Sequence, residues 1–173
     1  GSEMCIRDRS KVFMPNIDDT TVEAMLNVCT AYKGYCFPMI GFHPTSVGAD
    51  SLFRIYEMKK LLSGEHPFVA VGEVGMDLYW DKTYLKEQQK ALDIQIQWAL
   101  EYHLPLVLHC REAFPELFEV MEPYKKTELS GIFHSFTGTL EEAGQVLEYA
   151  RFFFGINGVV TFKKSSLAEV LPH

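Results

Sequence analysis

A chain of 173 residues, 47% apolar and 23% charged, has room for one domain with a sizeable core and the composition of an ordinary globular protein. Its net charge of −7 excludes a protein that grips nucleic acid through a broad basic face, but not one that meets an anionic substrate where bound metal ions supply local positive charge. No apolar run is long enough to cross a bilayer and no secretory h-region opens the sequence; the four cysteines (Cys5, Cys29, Cys36, Cys110) form no CxxC pair, which predicts reduced thiols in a cytoplasmic protein with no membrane partner.

In chain order, GSEMCIRDRS (1–10) has neither strand alternation nor a helical face; it is expected to be a tag or sequence carry-over, with the domain occupying 11–173. KVFMPNI (11–17) is strand-like, and TTVEAMLNVCTAY (20–32) is helical, with Val22, Met25, Leu26 and Cys29 on one face. CFPMIGF (36–42) is apolar again, Ser51 to Leu62 is helical, and PFVAVGEVG (67–75) is a strand running into a loop. TYLKEQQKALDIQIQWALEYH (83–103) is a long helix with Leu85, Leu92, Ile96, Ala99 and His103 on one stripe. LPLVLHC (104–110) is a strand, Glu112 to Tyr124 a helix, and SGIFHSF (130–136) a strand. Thr139 caps a helix from Leu140 to Ala150, with Glu142 in the capping-box position. RFFFGING (151–158) is a strand, and a short helix starts near Ser165. Short buried strands alternating with amphipathic helices define repeated βα units and a parallel sheet, either doubly wound or a (β/α)8 barrel; the absence of GxGxxG and GxxxxGK[ST] removes the main nucleotide-binding signs of the former.

Four successive strands end in a His or a Glu: His43, Glu73, His109 and His134. Alternation puts Val69, Val71 and Glu73 on one face, as it does Val107, His109 and Arg111, and Ile132, His134 and Phe136. In a barrel such rows fill the interior and their C-terminal ends form the active-site rim. Two imidazoles and a carboxylate meeting there suit a divalent ion such as Zn, Mn or Ni, with coordinating atoms within roughly 4 Å of one another. Arg111 suits an oxyanion or phosphate, or else a salt bridge to a loop carboxylate. His66 and His103 precede strands and lie at the wrong end; Cys110 faces away from His109 and reads as a core residue; Asp77 and Asp81 read as solvated loop positions, the alternative for Asp77 being a place at the rim.

The segments GFHP (41–44), VGEVGMD (71–77), LVLHCR (106–111), IFHSFTG (132–138) and GVVTFK (158–163), in this order, resemble the TatD-type metal-dependent deoxyribonucleases of the amidohydrolase superfamily. The resemblance implies a TIM barrel with a divalent-metal site (Mg, Mn, Zn or Ni) that hydrolyses phosphodiester bonds in DNA. By position, Glu73 matches a catalytic carboxylate that bridges two metals, and His109 and His134 match histidines on one of them. His43 and Arg111 match positions near the substrate phosphate, and Lys163 a substrate-side position of open role.

The pattern also departs from the family. The family's first strand ends in His-x-His and its last carries a catalytic Asp; no HxH occurs here and the sequence stops at His173. The expectation is therefore an incomplete barrel, with strands one and eight missing, weak or no activity for this chain, at most one ion where the family holds two, and open strand edges prone to self-association. The alternatives are a relative acting on a C–N bond or lactone, and a metal-binding fragment without turnover.

Overall fold

The computed structural model describes residues 10–162, 165 and 167–170. Within them six strands alternate with helices: β1 (Val12–Met14), α1 (Val22–Ala31), β2 (Cys36–Pro38), α2 (Ser51–Lys59), β3 (Val71–Asp77), α3 (Leu85–Glu101), β4 (Leu106–Arg111), α4 (Phe114–Met121), β5 (Gly131–Phe133), α5 (Leu140–Leu147), β6 (Phe152–Phe154) and α6 (Leu167–Val170). Every strand pairing is parallel, as βα repetition requires. One ladder runs β3-β4-β5-β6 and another joins β1 to β2. A bridge between Ile40 and Val71 links the two, so the strands follow sequence order across one sheet. Phe13 of β1 and Phe153 of β6 line the same apolar hollow of about 700 Å³, which a flat sheet would not allow. The sheet is thus curved, an incomplete barrel with the expected α/β class.

Strand alternation sorts the two faces. On β4, Leu106, Leu108 and Cys110 are buried under the helices, while Val107, His109 and Arg111 face the concave side and are only half buried. The helices seal the convex face with apolar stripes: Leu92, Ile96 and Ala99 of α3 and Leu117 and Met121 of α4 are almost wholly enclosed. Each such Leu or Ile contributes about 1.5–3 kcal/mol by leaving water. His103, which the periodicity puts on the α3 stripe, lies past the helix end with a φ of 54° and is exposed. The capping box forms as expected: Glu142 N donates to Thr139 Oγ1 (3.2 Å) and Thr139 N to Glu142 Oε2 (2.7 Å).

The strands are shorter than the apolar runs suggest. Four of the six have three residues, and in β2 and β6 the apolar run continues past the last ladder pair. β3 departs in the other direction and runs on through Asp77. There Gly75, at φ 140°, lies against β4 so closely that a Cβ would fall 1.9 Å from the His109 carbonyl oxygen. Glycine is the only residue that fits this approach.

Candidate metal centre at the strand ends

Glu73 occupies a shift in the β3–β4 register: Gly72 pairs with Val107 and Val74 with Leu108, so Glu73 is the extra residue between them. Its main-chain N–H donates to the Asn16 carbonyl (3.3 Å), and the Asn16 N–H donates to the Gly72 carbonyl (3.1 Å). Asn16 is itself buried, and its amide donates to the Gly41 carbonyl (2.9 Å). The loop after β1 therefore fixes the backbone that carries the carboxylate.

The Glu73 side chain, 9% exposed, meets the histidines of the next two strands. Its Oε1 lies 2.9 Å from His134 Nδ1 and 3.5 Å from His109 Nδ1. The other nitrogen of His109, Nε2, donates to Asp77 Oδ2 (2.8 Å), which turns Nδ1 toward Glu73. His43 closes the group from β2's side: donor atoms of His43, Glu73 and His109 all lie within 4.8 Å of one another, and the two imidazole centroids are 4.6 Å apart. The Thr45 N–H donates to His43 Nδ1 (3.3 Å) and holds that ring in place.

Asp77 is the main revision to the sequence reading. It is not a solvated loop residue but the last residue of β3, 6% exposed, with both carboxylate oxygens engaged: Oδ2 with His109, and Oδ1 with the Tyr79 N–H (3.0 Å). Asp81, by contrast, is the exposed turn residue expected, accepting from the Thr83 N–H (2.8 Å). Two further residues escaped sequence reasoning. Gln88 accepts from the Asp77 N–H (2.9 Å) and donates to the Asp77 carbonyl (3.0 Å). Gln95 does the same to Phe42, accepting from its N–H (2.7 Å) and donating to its carbonyl (3.3 Å). Seven residues apart on α3, they lie on one face of the helix and pair like strand residues with the main chain next to His43 and at Asp77. Two buried amides in an apolar stripe were the available signal.

The local charges follow from this packing. Burial works against the Glu73 carboxylate, but its bonds to His109 and His134 outweigh that and hold its pKa at about 2. Burial would also lower His109, yet Glu73 and Asp77 beside it raise it above the ordinary value. His43 is lowered, by burial first and then by neighbouring His109. His43, Glu73 and His109 packed this closely, with Asp77 behind a ring nitrogen, match what a divalent ion needs from its ligands and their supports; His134, expected as a ligand, is more exposed and joins through Glu73 alone, outside the group of mutually close donors.

The remaining expected residues fall around this group. Arg111 is on the concave face and finds no carboxylate among the described residues; its guanidinium carbon sits 3.5 Å from the Tyr79 ring centroid and 5.8 Å from that of Trp80. Lys163 lies outside the described residues. Cys110 is buried on the helix side, and His66 and His103 stand away from the group, as expected.

A parallel βα sheet with a histidine–carboxylate cluster at the C-terminal ends of its strands is the architecture of a metal-dependent hydrolase of the TIM-barrel type. The chain belongs to the TatD related DNase family, whose profile matches residues 4–173. It is 34% identical over 143 residues to the 3'-5' ssDNA/RNA exonuclease TatD of Pantoea sp. (strain At-9b), covering 82% of this chain and 54% of that protein. It is 28% identical over 155 residues to the uncharacterized metal-dependent hydrolase YabD of Bacillus subtilis (strain 168), covering 90% of this chain and 60% of that one. Among solved structures, the TatD homologue YJJV of Escherichia coli K12 superposes with a TM-score of 0.79 at 25% identity, covering 94% of this chain and 62% of that one. The chain thus spans little more than half the length of the curated relatives it matches. No helix among the described residues is long and apolar enough to cross a membrane.

Proposed function

We propose that the protein of this chain is a metal-dependent phosphodiesterase acting on DNA, with RNA as a second substrate. Glu73, His109 and His134 are its metal ligands, Glu73 also its catalytic carboxylate, and His43 a further donor within reach. The observation that carries the reading is the convergence of Glu73 Oε1 of β3 on His109 Nδ1 of β4 (3.5 Å) and on Nδ1 of His134, the residue after β5 (2.9 Å). The three-imidazole set favours Zn, Mn or Ni over Mg, and one ion per chain is expected. A bound ion would polarise a phosphate oxygen and acidify a water. The chain's own residues do the rest: Asp77 orients His109, and Arg111 on the concave face meets the phosphates, with Lys163 assigned to the substrate side by its place in the sequence alone. An acidic chain can then serve an anionic substrate because positive charge is concentrated at one rim. The name of the Pantoea relative supports the substrate class.

The test is cleavage of a labelled single-stranded oligonucleotide with Mn, with chelator, and by Glu73→Ala. Cleavage that needs metal and is lost in the variant is the expected result, at a rate below that of a full-length relative. Cleavage that survives chelation or the Glu73→Ala change would overturn the assignment. Hydrolysis of a cyclic amide or lactone without cleavage of nucleic acid would favour C–N or lactone chemistry, and tight metal binding without turnover on either would favour a non-catalytic metal protein.

Among the described strands β1 and β6 each pair on one side only, with Phe13 57% and Phe153 70% exposed, which supports edge-to-edge self-association of this chain. The free thiols of Cys29, Cys36 and Cys110 support a cytoplasmic setting.

A further inference from the structure

The chain has two tryptophans of opposite character. Trp98 is 1% exposed in the core, whereas Trp80 is 79% exposed on the loop that leaves β3 beside the metal centre. Next to it Tyr79 is 48% exposed, with the two rings edge to face at 4.6 Å. A lone exposed aromatic needs no explanation. This pair has three features that a chance exposure lacks. Its base is fixed: the Tyr79 N–H donates to Asp77 Oδ1 (3.0 Å), the same carboxylate that orients His109, and the Leu78 N–H donates to the Arg111 carbonyl (3.0 Å). Its underside is cationic: the Arg111 guanidinium carbon lies 3.5 Å from the Tyr79 ring centroid and, among the described residues, has no acidic partner. Its position is next to the chemistry: Arg111 follows His109 by two residues on the same face of β4, about 6.5 Å along the strand. A hollow of about 200 Å³ opens between Trp80 and the Pro44–Thr45 turn that follows His43.

We propose that Trp80 and Tyr79, backed by Arg111, form a stacking subsite for an unpaired nucleobase of the strand whose phosphate reaches the metal centre. The proposal rests on the nucleic-acid reading above and deepens it. An unpaired cation beside exposed aromatic faces selects a ligand that is anionic and aromatic together; a nucleotide is both. Duplex nucleic acid keeps its base faces stacked and offers none to Trp80, so the subsite selects single strands. Every base has a π-face, so it tolerates sequence.

The test compares two end-labelled probes, with affinity read by fluorescence polarisation of the label and contact with Trp80 read by tryptophan emission: a phosphorothioate hexathymidylate, which resists hydrolysis, and an abasic oligomer of equal length and charge. The thymidylate is expected to quench Trp80 and to bind about tenfold more tightly than the abasic probe, in the range of stacking one base on an aromatic ring. Trp80→Ala should bring the two affinities within about twofold without changing the melting temperature, and Trp80→Phe should restore most of the difference. Buried Trp98 reports in the same samples that the core is intact. Equal binding of both probes with unchanged emission would overturn the subsite and leave the nuclease reading standing. Binding of neither probe would overturn both. Protection of Trp80 that grows with protein concentration and not with thymidylate would put a second copy on this face and overturn the subsite.

Discussion

The His109 ring is held between two carboxylates, with Nε2–H on Asp77 and Nδ1 toward Glu73; a bound ion would take the place of the Nδ1 proton while Asp77 keeps the Nε2–H. Removing Asp77 frees the ring to rotate and to change tautomer. Asp77→Ala should therefore weaken Zn binding by about 10- to 100-fold in a chelator competition. Asp77→Asn should fall between, because one amide oxygen can serve either the His109 or the Tyr79 N–H but not both; wild-type affinity in Asp77→Ala would refute this orienting role. Glu73 gives a pH signature in the metal-free protein. Its folded pKa of about 2 lies below the unfolded value, so its ionised form stabilises the fold above about pH 4.3, and that contribution is lost as pH falls toward 2. The stability gap between wild type and Glu73→Gln, measured by urea unfolding, should shrink steadily from pH 5 to pH 2.5. A gap independent of pH would contradict the ion pairing. Of these residues Glu73, His109 and His134 were legible because each ends an apolar row. Asp77 was not, since Gly75 before it reads as a turn; its true role, close approach to the His109 carbonyl, depends on a neighbouring strand that no local pattern reveals.

The long helix α3 acts on the site from behind. Its buried Gln88 and Gln95 hold the main chain at Asp77 and Phe42, so one rigid element sets the ends of two strand segments relative to each other. Gln95→Leu would keep the volume but strand the Phe42 N–H and carbonyl without those partners. A loss of about 2 kcal/mol or more in denaturant unfolding is expected, with His43 displaced. A change below about 0.5 kcal/mol would show that water or a relaxed backbone replaces the amide. The existence and order of the elements were legible because the period switches cleanly between strand and helix. Strand lengths were not: apolar runs such as CFPMIGF and RFFFGING continue past the last ladder bond, and only tertiary pairing decides where a strand stops.

At the scale of the whole molecule, the convex face is sealed and the concave face is not. The apolar hollow of about 700 Å³ and the half-exposed row Val107, His109 and Arg111 show a curved sheet with open sides. The wall of the hollow and the β1 and β6 edges favour association, so sedimentation of this chain should show dimers or larger species that increase with concentration. A Phe13→Lys, Phe153→Lys double variant, with a charge on each edge, should shift the population toward monomer. A strictly monomeric wild-type sample with a sharp, reversible melt would contradict this. That the inner rows would stand half exposed follows only from closure of the barrel, which depends on every strand at once.

Metal content after exhaustive dialysis against metal-free buffer, for wild type and His109→Ala after loading with Zn, tests the ligand assignment most directly. About one ion retained per wild-type chain and essentially none by the variant is the predicted result. Two tightly held ions in the wild type, or undiminished retention by His109→Ala, would contradict it.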